Sequence, residues 1–208
     1  MSSFKIGVFD YSAGNIGSLR STLNNIGFRD IEVTNDFSIL ENMNCIILPG
    51  VGSFGYCVEI LNQKKDAREF FLQFLQKTDN LLIGICIGMQ LLAEASEESD
   101  GYSGLGLLPG NARKLIVPDD QRLPHVGWNN IVSHSKNYNI LSDKDFYFDH
   151  SYILECDPEY IVANTFYGEN IPSIVKRENI IGFQFHPELS GKVGSDLLKK
   201  IILGELDC

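Results

Sequence analysis

The sequence predicts an α/β fold: a doubly wound, mostly parallel sheet with added antiparallel strands. Three observations predict it. Over the first hundred residues, apolar β-rich runs alternate with stretches of helical spacing in a βαβαβα rhythm, which calls for parallel strands covered by helices on both faces. After residue 100 the chain changes to short β-branched or aromatic runs separated by turn residues. It then closes on a helical stretch.

Taken in order, "KIGVFDY" (5–11) is a β-rich run ending in the loop "SAGNIGS". "LRSTLNNIG" puts Leu19, Leu23 and Ile26 on one helical face and stops at Gly27. "DIEVTN" (30–35) reads as a strand, and "NCIILPGVGSFG" (44–55) as an apolar strand breaking into a Gly/Pro loop. "VEILNQ" through "AREFFLQFLQK" holds one or two helices. "NLLIGIC" is a buried strand and "GMQLLAEASEE" a helix. Beyond them, "RKLIVPDDQRLPHVGWNNIVSH", "KDFYFDHSYILEC", "EYIVANTFYG", "SIVKREN" and "IIGFQFHPE" are expected to add antiparallel strands to the parallel core. "GSDLLKKIILGEL" (194–206) closes the chain as a helix. No repeat, low-complexity tract or linker interrupts the 208 residues, so one domain over 1–208 is expected.

Composition narrows the function. A formal charge of −10 argues against a broad nucleic-acid footprint, which needs clustered Lys and Arg. No apolar stretch approaches the ~20 residues that span a bilayer. The first residues, "MSSFKIGVFDYSAGN", lack the h-region and cleavage site of a signal peptide, so a cytoplasmic protein is expected. The cysteines are Cys45, Cys57, Cys86, Cys156 and Cys208; no pair has the CxxC spacing of zinc or redox sites, and no metal or cofactor is expected. Cys45 is expected to fill a strand core, and Cys57, Cys156 and Cys208 to pack as ordinary free thiols.

Cys86 differs. Gly84-Ile85-Cys86-Ile87-Gly88 has the spacing of a nucleophile elbow, a sharp strand-to-helix turn that crowds the residues two before and two after the nucleophile. Such a turn exposes the side chain at the sheet's C-terminal edge, near a helix N-terminus that favours thiolate. A structural cysteine between tight-packing glycines fits the same five residues. The candidate base is His186 in "IIGFQFHPE": Pro187 ends the strand there, and Glu188 can accept from the imidazole, fixing its tautomer. A strand-terminal surface pair fits that motif too. Of the other histidines, His134 looks solvated, and His125 and His150 lack a suitably spaced carboxylate, since Asp149 would point to the opposite face from His150. The loop "LPGVGSFG" can turn backbone N–H groups towards an oxyanion, with Ile87 N–H as partner.

Read in order, "PGVG", "GICIGMQ" and "FHPE" resemble the class I, triad glutamine amidotransferases. With "DYSAGNIGSL", "GICIGMQLLAEASEE", "GLGLLPG", "LPHVGWNNI", "YFDHSY" and "GFQFHPELS", the chain resembles over nearly its whole length the glutaminase subunits of imidazole glycerol phosphate synthase. The resemblance implies a flavodoxin-like class I glutamine amidotransferase domain. It implies that Cys86 attacks the glutamine carboxamide, His186 moves the proton and Glu188 orients His186. The oxyanion falls to the Gly52 region and Ile87, and the substrate to Gln90, Glu98, Ser151 and Tyr152. It implies a (β/α)8-barrel synthase partner that receives ammonia and makes imidazole glycerol phosphate and AICAR in histidine biosynthesis, with Asn15 and Tyr147 near the docking face and an exposed patch of apolar content where the catalytic loops open. Leu189, where Lys commonly follows the catalytic Glu, and Asp149, where a hydrophobic residue usually precedes "HSY", depart from the pattern. Supply of ammonia for amidino-sugar synthesis in surface polysaccharide is the alternative role.

Overall fold

The computed structural model describes residues 4–12, 16–50, 52–63 and 66–206. Strand β1 (Lys5–Phe9) is followed by helix α1 (Ile16–Asn25), β2 (Asp30–Thr34), the single turn α2 (Phe37–Leu40) and β3 (Cys45–Leu48). Helices α3 (Phe54–Asn62) and α4 (Ala67–Leu75) lead to β4 (Leu81–Ile85), α5 (Ile87–Leu91) and β5 (Ala95–Ser96). The later strands are β6 (Asn111–Lys114), β7 (His125–Asn130), β8 (Val132–Ser133), β9 (Asp145–His150), β10 (Tyr152–Glu155), β11 (Ile161–Tyr167), β12 (Glu169–Arg177) and β13 (Ile180–Phe183), before the closing helix α6 (Gly191–Ile202).

Eight strands form the main sheet in the order β2-β1-β3-β4-β13-β12-β11-β8. The first five are parallel, in the doubly wound order that places a strand's successor on either side of β1. The next three extend the sheet antiparallel. β1, β3, β4 and β13 are almost continuously buried, as a sheet covered on both faces requires. One core packs Leu19 and Leu23 of α1 and Leu197, Leu198 and Ile201 of α6 on one face. The other packs Val58 and Leu61 of α3 and Phe71 and Phe74 of α4 on the opposite face. Two smaller sheets, β10-β6-β5 and the antiparallel pair β7-β9, complete the described strands.

Three elements differ from expectation. The helix expected over "GMQLLAEASEE" ends at Leu91, and Ala95–Ser96 is a strand. The chain at 105–108 explains it: Leu105 N–H donates to Leu91 O, and Leu107 and Leu108 N–H both donate to Leu92 O, so those carbonyls are taken before a further turn forms. β13, expected to be antiparallel, runs parallel to β4 and antiparallel only to β12. The closing helix starts at Gly191 and stops at Ile202, not 194–206. Cys45 is fully buried in β3, as its strand context implied, and Cys57 is fully buried in α3. Asn15 and Cys208 lie outside the described residues.

Candidate active site

Cys86 joins β4 to α5 with φ 49° and ψ −107°, a conformation that costs a non-glycine residue about 1–3 kcal/mol. Its neighbours show why glycine flanks it. A Cβ on Gly84 would fall 2.5 Å from Gly88 O, and one on Gly88 only 2.0 Å from Leu48 O. The two glycines let the turn close on itself and seat against β3. Cys86 N–H donates to Phe183 O at 2.6 Å, tying the turn to β13. Only 7% of the residue is exposed, and Sγ lies 3.5 Å from Asp149 O. With only five residues in α5, the macrodipole expected to favour thiolate is small. Ile87 N–H, first in the helix, remains without an intrahelical acceptor.

The parallel register of β13 on β4 pairs Phe183 with Ile85, so the chain beyond both strands emerges together and carries His186 to Cys86. Gly50, just beyond β3, packs between them: a Cβ there would meet Cys86 Cβ and His186 Cε1, both at 2.8 Å. His186 Nδ1 lies 2.9 Å from Glu188 Oε1, which leaves Nε2 as the ring nitrogen for Cys86. Burial alone would lower the imidazole pKa. Hydrogen bonds to Cys86 and Glu188, and attraction to both, outweigh it and push the value up to about 11.

These groups open into a cleft of about 430 Å³ lined by Gly50, Gly52, Cys86, Ile87, Gln90 and Glu98 on one side and by Ser151, Tyr152 and His186 on the other. Of the residues expected from sequence to be catalytic, to hold the oxyanion or to bind substrate, only Glu188 does not line it; it lies behind the ring. Gly52 holds φ 88°, within the loop proposed for the oxyanion. Glu98, expected near the end of a helix, lies instead in the turn after β5, where its Oε2 accepts from Phe54 N–H at 2.8 Å. Ser99 Oγ accepts from Gly55 N–H at 3.0 Å, so this turn caps α3 and anchors the far end of the Gly52 loop. His134 is exposed, as its sequence context implied. Asp149 is exposed on β9 while His150 is buried, again as strand alternation requires.

Several contributing groups carry no local sequence signal. Buried Ser190 donates to His186 O at 2.6 Å and accepts from Tyr147 N–H at 2.9 Å, clamping the His186 backbone to β9. Buried Gln184 presents Nε2 to Cys86 Sγ at 3.9 Å. Leu189, which lines the cleft, is 43% exposed; on the β7-β9 pair Val126 (53%) lies opposite Asp149, another lining residue, with Trp128 (58%) two residues along and edge-on to Tyr147 at 6.1 Å.

A positive-φ cysteine, a buried imidazole and a carboxylate on that imidazole meet at the C-terminal edge of a doubly wound sheet, an arrangement suited to cysteine-centred acyl transfer. The chain belongs to the glutamine amidotransferase class-I family, whose model matches residues 7–203. It is 40% identical over 197 residues to imidazole glycerol phosphate synthase subunit HisH of Exiguobacterium sibiricum, covering 94% of this chain and 93% of that protein. It is 42% identical to the HisH subunit of Bacillus cytotoxicus, over 93% of this chain and 91% of that one. To subunit HisH 2 of Vibrio vulnificus it is 37% identical, over 95% and 94%. The fold matches a crystal structure of a glutamine amidotransferase with TM-score 0.74 at 17% identity, covering 96% of this chain and 98% of that one. It also matches a chain of PurLQS from Thermotoga maritima with TM-score 0.71 at 18% identity, over 99% and 100%.

Proposed function

We propose that this chain is the glutaminase subunit of an imidazole glycerol phosphate synthase. It hydrolyses glutamine to glutamate through a thioester on Cys86 and passes ammonia to a (β/α)8-barrel synthase that makes imidazole glycerol phosphate and AICAR in histidine biosynthesis. The observation that carries the reading is the strained Cys86 in a cleft beside an imidazole backed by Glu188. Residues 1–208 act as one domain of a cytoplasmic enzyme, and no helix among the described residues is long and apolar enough to cross a membrane.

The thiol proton passes to His186, and Sγ adds to the side-chain carboxamide carbon of glutamine. The resulting oxyanion is met by backbone N–H groups of the Gly52 loop and Ile87. His186 gives its proton to the departing nitrogen, the C–N bond breaks, and ammonia leaves a γ-glutamyl thioester. Water then attacks the thioester, delivering its proton through His186 back to sulfur, and glutamate is released. Glu188 keeps the imidazole in one tautomer and stabilises its cation. Gln90, Glu98, Ser151 and Tyr152 hold the substrate. The mechanism uses no cofactor.

Exposed Leu189 on the cleft, with exposed Val126 and Trp128 on the adjoining β7-β9 pair, supports docking of the synthase there. The similarity to HisH subunits of imidazole glycerol phosphate synthase favours this acceptor over surface-sugar synthesis. The test is the assembled enzyme carrying Cys86→Ala. Glutamate release is expected to vanish while synthase activity on added ammonia persists; undiminished glutamate production would overturn the assignment.

A further inference from the structure

His125 on β7 and His150 on β9 sit directly opposite each other in this antiparallel pair, both buried, with Nδ1 of His125 2.9 Å from Nε2 of His150. The groups around them fix every proton. His150 Nδ1 lies 3.1 Å from Tyr152 O, and only an N–H can face a carbonyl, so His150 is protonated on Nδ1. Its Nε2 is therefore a bare acceptor, and His125 must donate to it from Nδ1. His125 Nε2 is then the acceptor for Asn129 Nδ2 at 3.3 Å. The Asn129 amide is itself held in one orientation: its nitrogen donates to Phe166 O at 3.0 Å and its oxygen accepts from Asn130 N–H at 2.9 Å.

The chain ends at the cleft. Tyr152 O accepts from His150 and also from Gln90 Nε2, at 2.9 Å. With its nitrogen committed, Gln90 turns Oε1 the other way; that oxygen is buried, has no partner among the described residues, and belongs to a residue lining the cleft. An unpaired acceptor in such a place costs about 1–3 kcal/mol unless a donor arrives.

We propose that His125 and His150 are positioning residues: as two neutral Nδ1–H imidazoles they hold the Tyr152 peptide so that Gln90 presents its oxygen to a substrate N–H, of carboxamide or ammonium type. The substrate half rests on the glutaminase reading above. A proton added to the pair has nowhere to go, because each free lone pair already faces an N–H donor. The charged or titratable groups facing the pair agree. His150 is faced by His125 and His186, and His125 by His150 and by the rings of Tyr167 and Phe148; burial holds both rings well below the ordinary histidine range, and for His150 the neighbouring imidazoles add to it.

Two measurements test this. Nitrogen-15 NMR of histidine-labelled chain reads the tautomers without any reference to activity. Both rings are expected as neutral Nδ1–H forms from pH 8 down to pH 5; Nε2–H on either ring, or titration of either near 6.5, overturns the proposal. In the assembled enzyme, His150→Leu is expected to raise KM for glutamine about tenfold with a much smaller change in kcat. His150→Asn, whose amide nitrogen replaces Nδ1, is expected to recover most of that loss. An unmoved KM in His150→Leu, or equal losses in the two variants, overturns the proposal as well. Absence of glutaminase activity in the unsubstituted complex would sink the functional reading and the substrate half together, and the tautomers would still decide the geometry.

Discussion

Glu188 reaches back beneath His186, with Oε1 2.9 Å from Nδ1, although only Pro187 separates the two residues. The proline opens a single 3-10 turn, Pro187–Leu189, which brings the carboxylate round under the ring. Both side chains are only 10% exposed, so their attraction is little screened by solvent. Glu188→Gln keeps a hydrogen-bonding group and removes the charge. Its kcat/KM for glutamine is expected to fall about a hundredfold, at the lower end of general acid–base contributions. The alkaline limb of activity, where His186 loses its proton, is expected to move to lower pH. An alkaline limb that stays in place would show that Glu188 does not support the cation.

Gly50 gives a second prediction. A Cβ at this position meets Cys86 Cβ, His186 Cε1 and Ile85 O, all at 2.8 Å, and none of these is the end of a flexible side chain. Gly50→Ala must therefore part sulfur from imidazole or move the loop. A loss of at least about a hundredfold in kcat is expected, since small misplacements of reacting groups carry costs of that size. Crystallography of the variant should show the Cys86–His186 pair displaced. Activity close to wild type would mean that the loop yields without cost to the pair.

Gly88 separates stability from chemistry. Its added Cβ would lie 2.0 Å from Leu48 O, a backbone atom of the central sheet. Gly88→Ala is expected to lose about 1–3 kcal/mol of stability, as overpacking does, read as a lower denaturation midpoint. An unchanged midpoint would mean that α5 is free to shift.

The parts of this site that were legible in the sequence are those coded within a few residues. Gly84, Cys86 and Gly88 speak through one tight turn, and His186, Pro187 and Glu188 through another. Their meeting depends on β13 lying parallel beside β4, and strand direction leaves no mark on a run such as "IIGF". The length of α5 was illegible for a related reason. "LLAEASEE" is good helical sequence, and what stops it is the backbone of Leu105, Leu107 and Leu108, folded back onto its carbonyls. Ser190 and His125 matter through partners 43 and 25 residues away, so neither has a local pattern to find.

The three buried imidazoles make stability depend on pH in opposite senses. Burial lowers His125 to about 4, and burial with the neighbouring His125 lowers His150 to about 3, from 6.5. Their contribution is fully present above pH 6.5 and is lost as pH falls through those values, because the unfolded chain takes up the protons first. His186, raised to about 11, contributes fully below pH 6.5 and loses its share as pH climbs. Stability from the two buried neutral imidazoles is expected to fall below pH 6.5, and that from the His186 cation to fall above it. Denaturant titrations between pH 5 and 9 check it. A His125→Asn/His150→Asn double variant should flatten the descent from pH 6.5 to 5, above the carboxylate range; an equally steep descent would assign it to other groups.

Trp128 tests the proposed docking face. It stands on β7, 58% exposed and edge-on to Tyr147, two residues from Val126, which pairs with Asp149 of the cleft lining. A large aromatic left this open contributes little to folding, so Trp128→Ala is expected to shift stability by no more than about 0.5 kcal/mol. Buried at the centre of an interface, the same side chain commonly accounts for 2 kcal/mol or more, roughly a thirtyfold change in affinity. Titration of the barrel synthase with the variant should show that weakening, with glutaminase activity restored at saturating partner. If Trp128→Ala binds the synthase as tightly as the unsubstituted chain, the partner approaches by another face. Ammonia released beside Cys86 would then have to leave the cleft by a different route.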